Sequence, residues 1–231
     1  MSLWFILSAI AAPALFWIGY FAYKDRFRPE PLLRIGAAYL LGLAAAGACV
    51  YALRVLPLFG VPYDPSALME SNRLGLLLYS IGISGMVEEL FKFLPFLLFV
   101  IRFPSFDEKT DGILYACFIA LGFASLENSR ILPHLEGFEL VGRALASPLT
   151  HTIFSSIWGY TVGMATISRR PLLRPALIGL LLAALCHGLF NFLTTSVVLR
   201  LFSALLILGV WIWRIWFLER SARRETPLHR E

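Results

Sequence analysis

The chain has 231 residues, of which 58% are hydrophobic and only 15% charged, and its mean hydropathy of +0.74 is far above that of a soluble domain of this length. This composition excludes a soluble globular enzyme and implies an integral membrane protein. The net charge of +5 comes with no aromatic-basic patch and no nucleic-acid-binding motif, so no nucleic acid is expected as a partner.

Seven apolar segments, roughly 2–23, 34–56, 73–101, 112–128, 147–167, 174–196 and 199–218, approach the ~20 residues that cross ~30 Å of hydrocarbon. They predict an all-α, polytopic transmembrane helical bundle of about seven spans in the cell membrane. One domain is expected over residues 1–231, with a motif-bearing core at about 73–196 and a solvated basic tail at 219–231. The first segment has no basic n-region or suitably placed small-residue cleavage site, and is expected to stay as a span. Pro29 and Pro31 then break any helix running into the second segment. Pro57, Gly60, Pro62 and Pro65 mark a loop, after which Ser71 or Asn72 can cap the third span. Pro95 lies three residues after Lys92, where a kink would re-aim the neighbouring carboxylates. Cys49, Cys117 and Cys186 lie in apolar spans at no metal-ligand spacing and read as small buried hydrophobes. When the loops are assigned to alternate sides, 14 of the lysines and arginines fall on one face against 5 on the other. The positive-inside rule then puts the N-terminus outside and the C-terminus in the cytoplasm.

The third span carries Met86-Val87-Glu88-Glu89-Leu90-Phe91-Lys92 near its middle. A charge at the bilayer centre costs roughly 2.5–3.5 kcal/mol on insertion scales, so such residues usually face a polar cavity and mark a functional site. Lys92 follows Glu88 by four and Glu89 by three and can neutralise either. An ion pair is the bland explanation; a general base is the functional one. The fourth span ends in Gly122-Phe123-Ala124-Ser125-Leu126-Glu127-Asn128. The fifth begins Pro148-Leu149-Thr150-His151, placing His151 about one turn below the outer surface, and the sixth puts His187 and Asn191 on one helix face. A lone intramembrane histidine is often only an interhelical tether. Here, however, Glu88, Glu127, His151 and His187 can converge on one outward-facing cavity holding a water, a base and oxyanion donors, the parts of an amide hydrolase. The same Glu and His types could hold a zinc ion, although no His-Glu-x-x-His motif is present.

The ordered set Glu88-Glu89-x-x-Lys92, Gly122-x-x-x-x-Glu127-Asn128, His151-x-x-Phe154-Ser155 and His187-x-x-x-Asn191 resembles the PrsW family of intramembrane proteases, within the wider superfamily of CAAX prenyl endopeptidases and bacteriocin-processing proteins. The turn Asp25-Arg26-x-x-Pro29-Glu30-Pro31 resembles that family's first loop. The resemblance implies cleavage of a membrane-anchored protein, such as a single-span anti-sigma factor, near its extracytoplasmic face. It also implies that Glu88 activates water, that Glu89 tunes the site and that His151 assists as base partner. His187 and Asn191 would form the oxyanion hole, with Glu127 a further polar contributor. Metal dependence is left open; an ion, if present, would take Glu88, Glu127, His151 and His187. A proton-coupled transporter using the same carboxylates and histidines is the alternative. The absence of evident internal repeats counts against it.

Overall fold

The computed structural model describes residues 2–26, 28–62 and 65–225, which form helices and turns with no strand among them. Helix α1 (Leu3–Lys24) is capped by the Ser2 hydroxyl and leads through the proline turn to α2 (Leu32–Val55), whose N-cap is Pro31. After a 3-10 turn come two short helices, α3 (Ser66–Ser71) and α4 (Arg73–Tyr79). Asn72 caps α4 by accepting from the Gly75 N–H at 2.8 Å, as expected of that position. A π-helical segment, Ser80–Gly85, joins α4 to α5 (Met86–Leu98). Then follow α6 (Asp111–Ile131), α7 (Gly137–Ile167), α8 (Leu173–Thr194) and α9 (Arg200–Glu225).

Four of the described helical stretches are long and apolar enough to cross a membrane: Leu3–Lys24, Leu32–Phe59, Asp111–His134 and Leu173–Thr194. The other three expected spans fall on the segment interrupted at Ser80–Gly85, on the polar-lined α7, and on α9. The chain does not end its last helix where the sequence predicts a solvated tail. Instead α9 continues through Glu225, and residues 226–231 lie outside the described residues.

Helix α6 is the hub. Every residue from Asp111 to Ser125 is buried, as expected of a helix that is apolar all round and enclosed by others. Its contact with α7 is backbone to backbone: a Cβ on Gly112 would lie 2.2 Å from the Gly159 carbonyl oxygen, so any side chain there would force the helices apart. Large apolar side chains on α1, α2, α8 and α9, such as Trp4, Phe16, Leu40, Leu181 and Leu205, point outward, where lipid can cover them. Cys49 and Cys117 are buried and Cys186 half-buried, and the Cys117 thiol donates to the Thr152 carbonyl oxygen at 3.7 Å.

The Asp25–Pro31 turn is latched to α6. Tyr115 donates its hydroxyl proton to Glu30, and the Glu30 N–H donates to Asp25 Oδ2 at 2.9 Å. Arg28 pairs with Glu108 at 2.7 Å. This network accounts for the polar residues of that loop and fixes the end of α6 remote from Glu127.

Candidate active site

Where the sequence draws attention to Pro95, the third span is irregular about three turns earlier, just before the two glutamates. The π-helical turns at Ser80–Gly85, a form often found at functional sites, precede the two glutamates and set the direction in which α5 presents them. Pro95 lies within α5. The same region meets α8 with almost no side chain between. A Cβ on Gly85 would be 2.4 Å from the Ala184 carbonyl oxygen, and one on Gly188 would be 2.4 Å from Ile81 Cα. Two glycines therefore bring His187 within reach of the α5 carboxylates.

Glu89 is completely buried and its bonding capacity is full. Lys92 Nζ donates to Oε1 at 2.6 Å and His187 Nδ1 donates to the same oxygen at 2.7 Å. The Ser155 hydroxyl and the Trp158 indole N–H each donate to Oε2 at 2.8 Å. Four donors occupy the roughly four lone-pair positions of a carboxylate, leaving none to accept a proton from water. Lys92, also fully buried, spans Glu89 and His151 and lies 4.6 Å from the centre of the Phe123 ring.

These contacts decide the histidine tautomers. A lysine ammonium can only donate, so His151 Nδ1, 2.9 Å from Lys92 Nζ, accepts and the ring carries its proton on Nε2. That proton is donated to Glu127 Oε2 at 2.9 Å, while the other Glu127 oxygen is held by Arg143 at 3.1 Å. His187 has the opposite arrangement. Its Nδ1 proton goes to Glu89, so Nε2 is bare and faces Glu88 Oε2 at 3.5 Å. Glu88 Oε2 is itself buried without a hydrogen-bond partner. Two acceptors facing each other require a shared hydrogen or a third species that touches both.

A metal ion is one such species. Ligand atoms of Glu88, His151 and His187 lie within 4.8 Å of one another. Glu88 and His187 offer free donor atoms, and His151 Nε2 can join them once its proton passes to Glu127 and Lys92 passes one to Nδ1. The pairing of Glu89 with His187 is the carboxylate–histidine arrangement that orients imidazole ligands. The residues present therefore fit a divalent cation. Glu127, grouped with the potential ligands on sequence grounds, has both oxygens engaged by His151 and Arg143.

A cavity of about 620 Å³ between α7, α8 and α9 opens onto His151, His187 and Asn191. Asn191 lines this space. His151 stands deeper in its helix than expected, because α7 begins at Gly137 rather than near residue 147 and runs through Pro148. Sequence reasoning missed Trp158 and Arg143. A signal for Trp158 existed, since His151, Ser155 and Trp158 recur at i, i+4 and i+7 on one face. Arg143 was placed in a loop when the helix start was set too late.

Comparison with known proteins bears on this arrangement. A family model described as PrsW family intramembrane metalloprotease matches residues 30–217, which include every residue of the cluster. Protease PrsW of Oceanobacillus iheyensis is 32% identical over 222 residues, covering 94% of this chain and 95% of the relative. Protease PrsW of Bacillus subtilis is 28% identical over 222 residues, 95% and 94% of the two chains. The Clostridioides difficile protein of the same name is 30% identical over 214 residues, 87% and 82% of the two chains. No solved structure matches. The chain belongs to the PrsW family and is a multi-pass intramembrane protease.

Proposed function

We propose that this protease cuts membrane-anchored proteins near their extracytoplasmic face with a water activated by Glu88. The observation that carries this reading is a pair of facing acceptors 3.5 Å apart: Glu88 Oε2, buried without a hydrogen-bond partner, and Nε2 of His187, a residue that lines the cavity. A water lodged between them loses a proton to Glu88 and attacks the scissile carbonyl, and Glu88 returns the proton to the departing amine. Asn191 donates to the developing oxyanion. His187 is reassigned from that role to orienting the water, since its one proton is committed to Glu89. Glu89, held by Lys92, Ser155 and Trp158, fixes the His187 ring without taking part in proton transfer. A zinc ion held by Glu88, His151 and His187 would supply an acidified water and a Lewis acid for the carbonyl.

The excess of basic residues on one set of loops supports an outer location for the N-terminal end of α7, the C-terminal end of α8 and the cavity between them. A single-span regulator such as an anti-sigma factor is the substrate class that the family resemblance implies. The test is cleavage of a panel of single-span membrane proteins by the purified chain in detergent, with Glu88→Gln and a chelator in parallel. Cleavage lost in Glu88→Gln supports the base assignment. Loss on chelation with recovery on added zinc supports the metal, and activity of Glu88→Gln within a few-fold of the parent removes the assignment of Glu88 as base.

A further inference from the structure

Among the described residues, four buried side-chain N or O atoms have no hydrogen-bond partner: Glu88 Oε2, Asn128 Oδ1, Arg143 Nε and Ser147 Oγ. Leaving such groups unpaired is costly, and each calls for an explanation. One of them, Glu88 Oε2, is in the reaction centre already described. Two more, Arg143 Nε and Ser147 Oγ, belong to residues that line the cavity between α7, α8 and α9, the same cavity that reaches His151 and His187. Arg143, Ser147 and His151 follow at intervals of four residues, so they form a single stripe along α7 that leads from the reaction centre toward the helix N-terminus.

The spacing of this stripe matches one kind of ligand. Positions four apart on a helix rise about 6 Å. Carbonyl groups on the same side of an extended peptide repeat every two residues, about 6.7 Å. Arg143 Nε–H and the Ser147 hydroxyl are both donors, at the pitch of alternate carbonyls on a strand whose next carbonyl would lie beside His151. The facing wall from α9 has Arg200 and Ser203 at the start of that helix and the small or apolar Ala204 and Ile207 beyond them, which leave room for side chains.

We infer that the α7–α8–α9 cavity is the seat of an extended segment of the protein substrate, whose backbone carbonyls accept hydrogen bonds from Ser147 and Arg143 over about four residues on one side of the scissile bond. The inference rests on the proteolytic reading of the neighbouring site and adds the binding mode and direction of the substrate. The seat is distinct from a second cavity of about 570 Å³, lined by Trp17, Lys24, Ile113 and Trp211, which supplies a control surface.

Two measurements test it on the full-length protein with the members of the single-span panel. In steady-state cleavage, Ser147→Ala raises KM about fivefold, the loss of one hydrogen bond, with kcat held within twofold. Ala204→Trp, a substitution at an exposed position that fills the cavity, raises KM at least about tenfold on the same scale. In the Glu88→Gln protein, a photocrosslinking side chain at Ile207 captures panel substrate and the same group at Trp17 does not. Unchanged KM in both variants, or an effect confined to kcat, overturns the seat and leaves the proteolytic reading standing. Wild-type protein without Glu88-dependent cleavage sinks that reading instead, and the crosslink then decides the seat alone: capture at Trp17, or at neither position, overturns it.

Discussion

Lys92→Met removes the ammonium that pairs with Glu89 and leaves a completely buried carboxylate without this counter-ion. Breaking one side of a buried pair costs about 3–5 kcal/mol. Three neutral or ring donors, from Ser155, Trp158 and His187, still hold Glu89, so the expected loss is at the lower end, about 3 kcal/mol. Glu89→Gln strands Lys92 in the same way and should cost a similar amount. The double variant Lys92→Met/Glu89→Gln has no buried charge left at the pair. Its expected cost is about 1–2 kcal/mol, well under the sum of the singles, because replacing both members of a buried pair is far milder than removing one. Reversible unfolding in mixed micelles, followed by tryptophan fluorescence, gives the four free energies of the cycle. Additive single costs, or a Lys92→Met protein within about 1 kcal/mol of the parent, would refute the argument that the pair is mutually dependent.

Three further outcomes are expected. Glu88→Gln should abolish cleavage while leaving unfolding unchanged or shifted to higher stability, since Glu88 Oε2 has no hydrogen-bond partner to lose; a clear destabilisation would show that this oxygen is bonded in the folded protein. Gly188→Ala places a Cβ 2.4 Å from Ile81 Cα and should cost about 1–3 kcal/mol in the same unfolding assay, together with most of the cleavage rate, whereas Gly209→Ala, with nothing within 4 Å, serves as the neutral control. Burial raises the Asp25 carboxyl above its ordinary value of 3.8, helped by the nearby Glu30 and Glu108 charges. The ionised form is therefore disfavoured in the fold, and this penalty is absent below that value and complete above the raised one. Asp25→Asn, which keeps an acceptor for the Glu30 N–H, should gain a few tenths of a kcal/mol at neutral pH, and the gain should vanish as pH falls toward 4.

Helix positions were legible in the sequence wherever apolar runs ended in strong punctuation. Pro29 and Pro31 separated α1 from α2, and Asn72 began α4. The boundary of α7 was not legible, because Pro148 read as a helix start and the stretch Gly137–Ala146, with Glu139 and Arg143 in it, read as loop. In the structure that stretch stays helical with Leu140 and Ala144 buried, and Pro148 is accommodated inside the helix. The π-helical segment left no mark in the sequence either, since Ser80-Ile81-Gly82-Ile83-Ser84-Gly85 fits an ordinary small-residue transmembrane run. At the site, residue types announced that Glu88, Glu89, Lys92, Glu127, His151 and His187 form a set. Partner choice was beyond the sequence: Lys92 at i+3 and i+4 can reach either glutamate, and only the packing of Ser155, Trp158 and His187 around Glu89 selects that one.

The glycine crossing beside His187 carries a consequence for how the reaction centre tolerates change. Most interhelical distances in a membrane bundle are set by side chains that can change rotamer, and such spacers give under load. At Gly85 and Gly188 the two main chains touch directly, so the gap between α5 and α8 works as a calliper with bare jaws, closed to the thickness of the peptide backbone. The lipid-facing residues of α8, Leu177, Leu181 and Leu185 among them, can be exchanged for other apolar groups without altering that setting. The reach from His187 to Glu88 and Glu89 is thereby insulated from the composition of the surrounding bilayer and exposed to a single methyl group at residue 188.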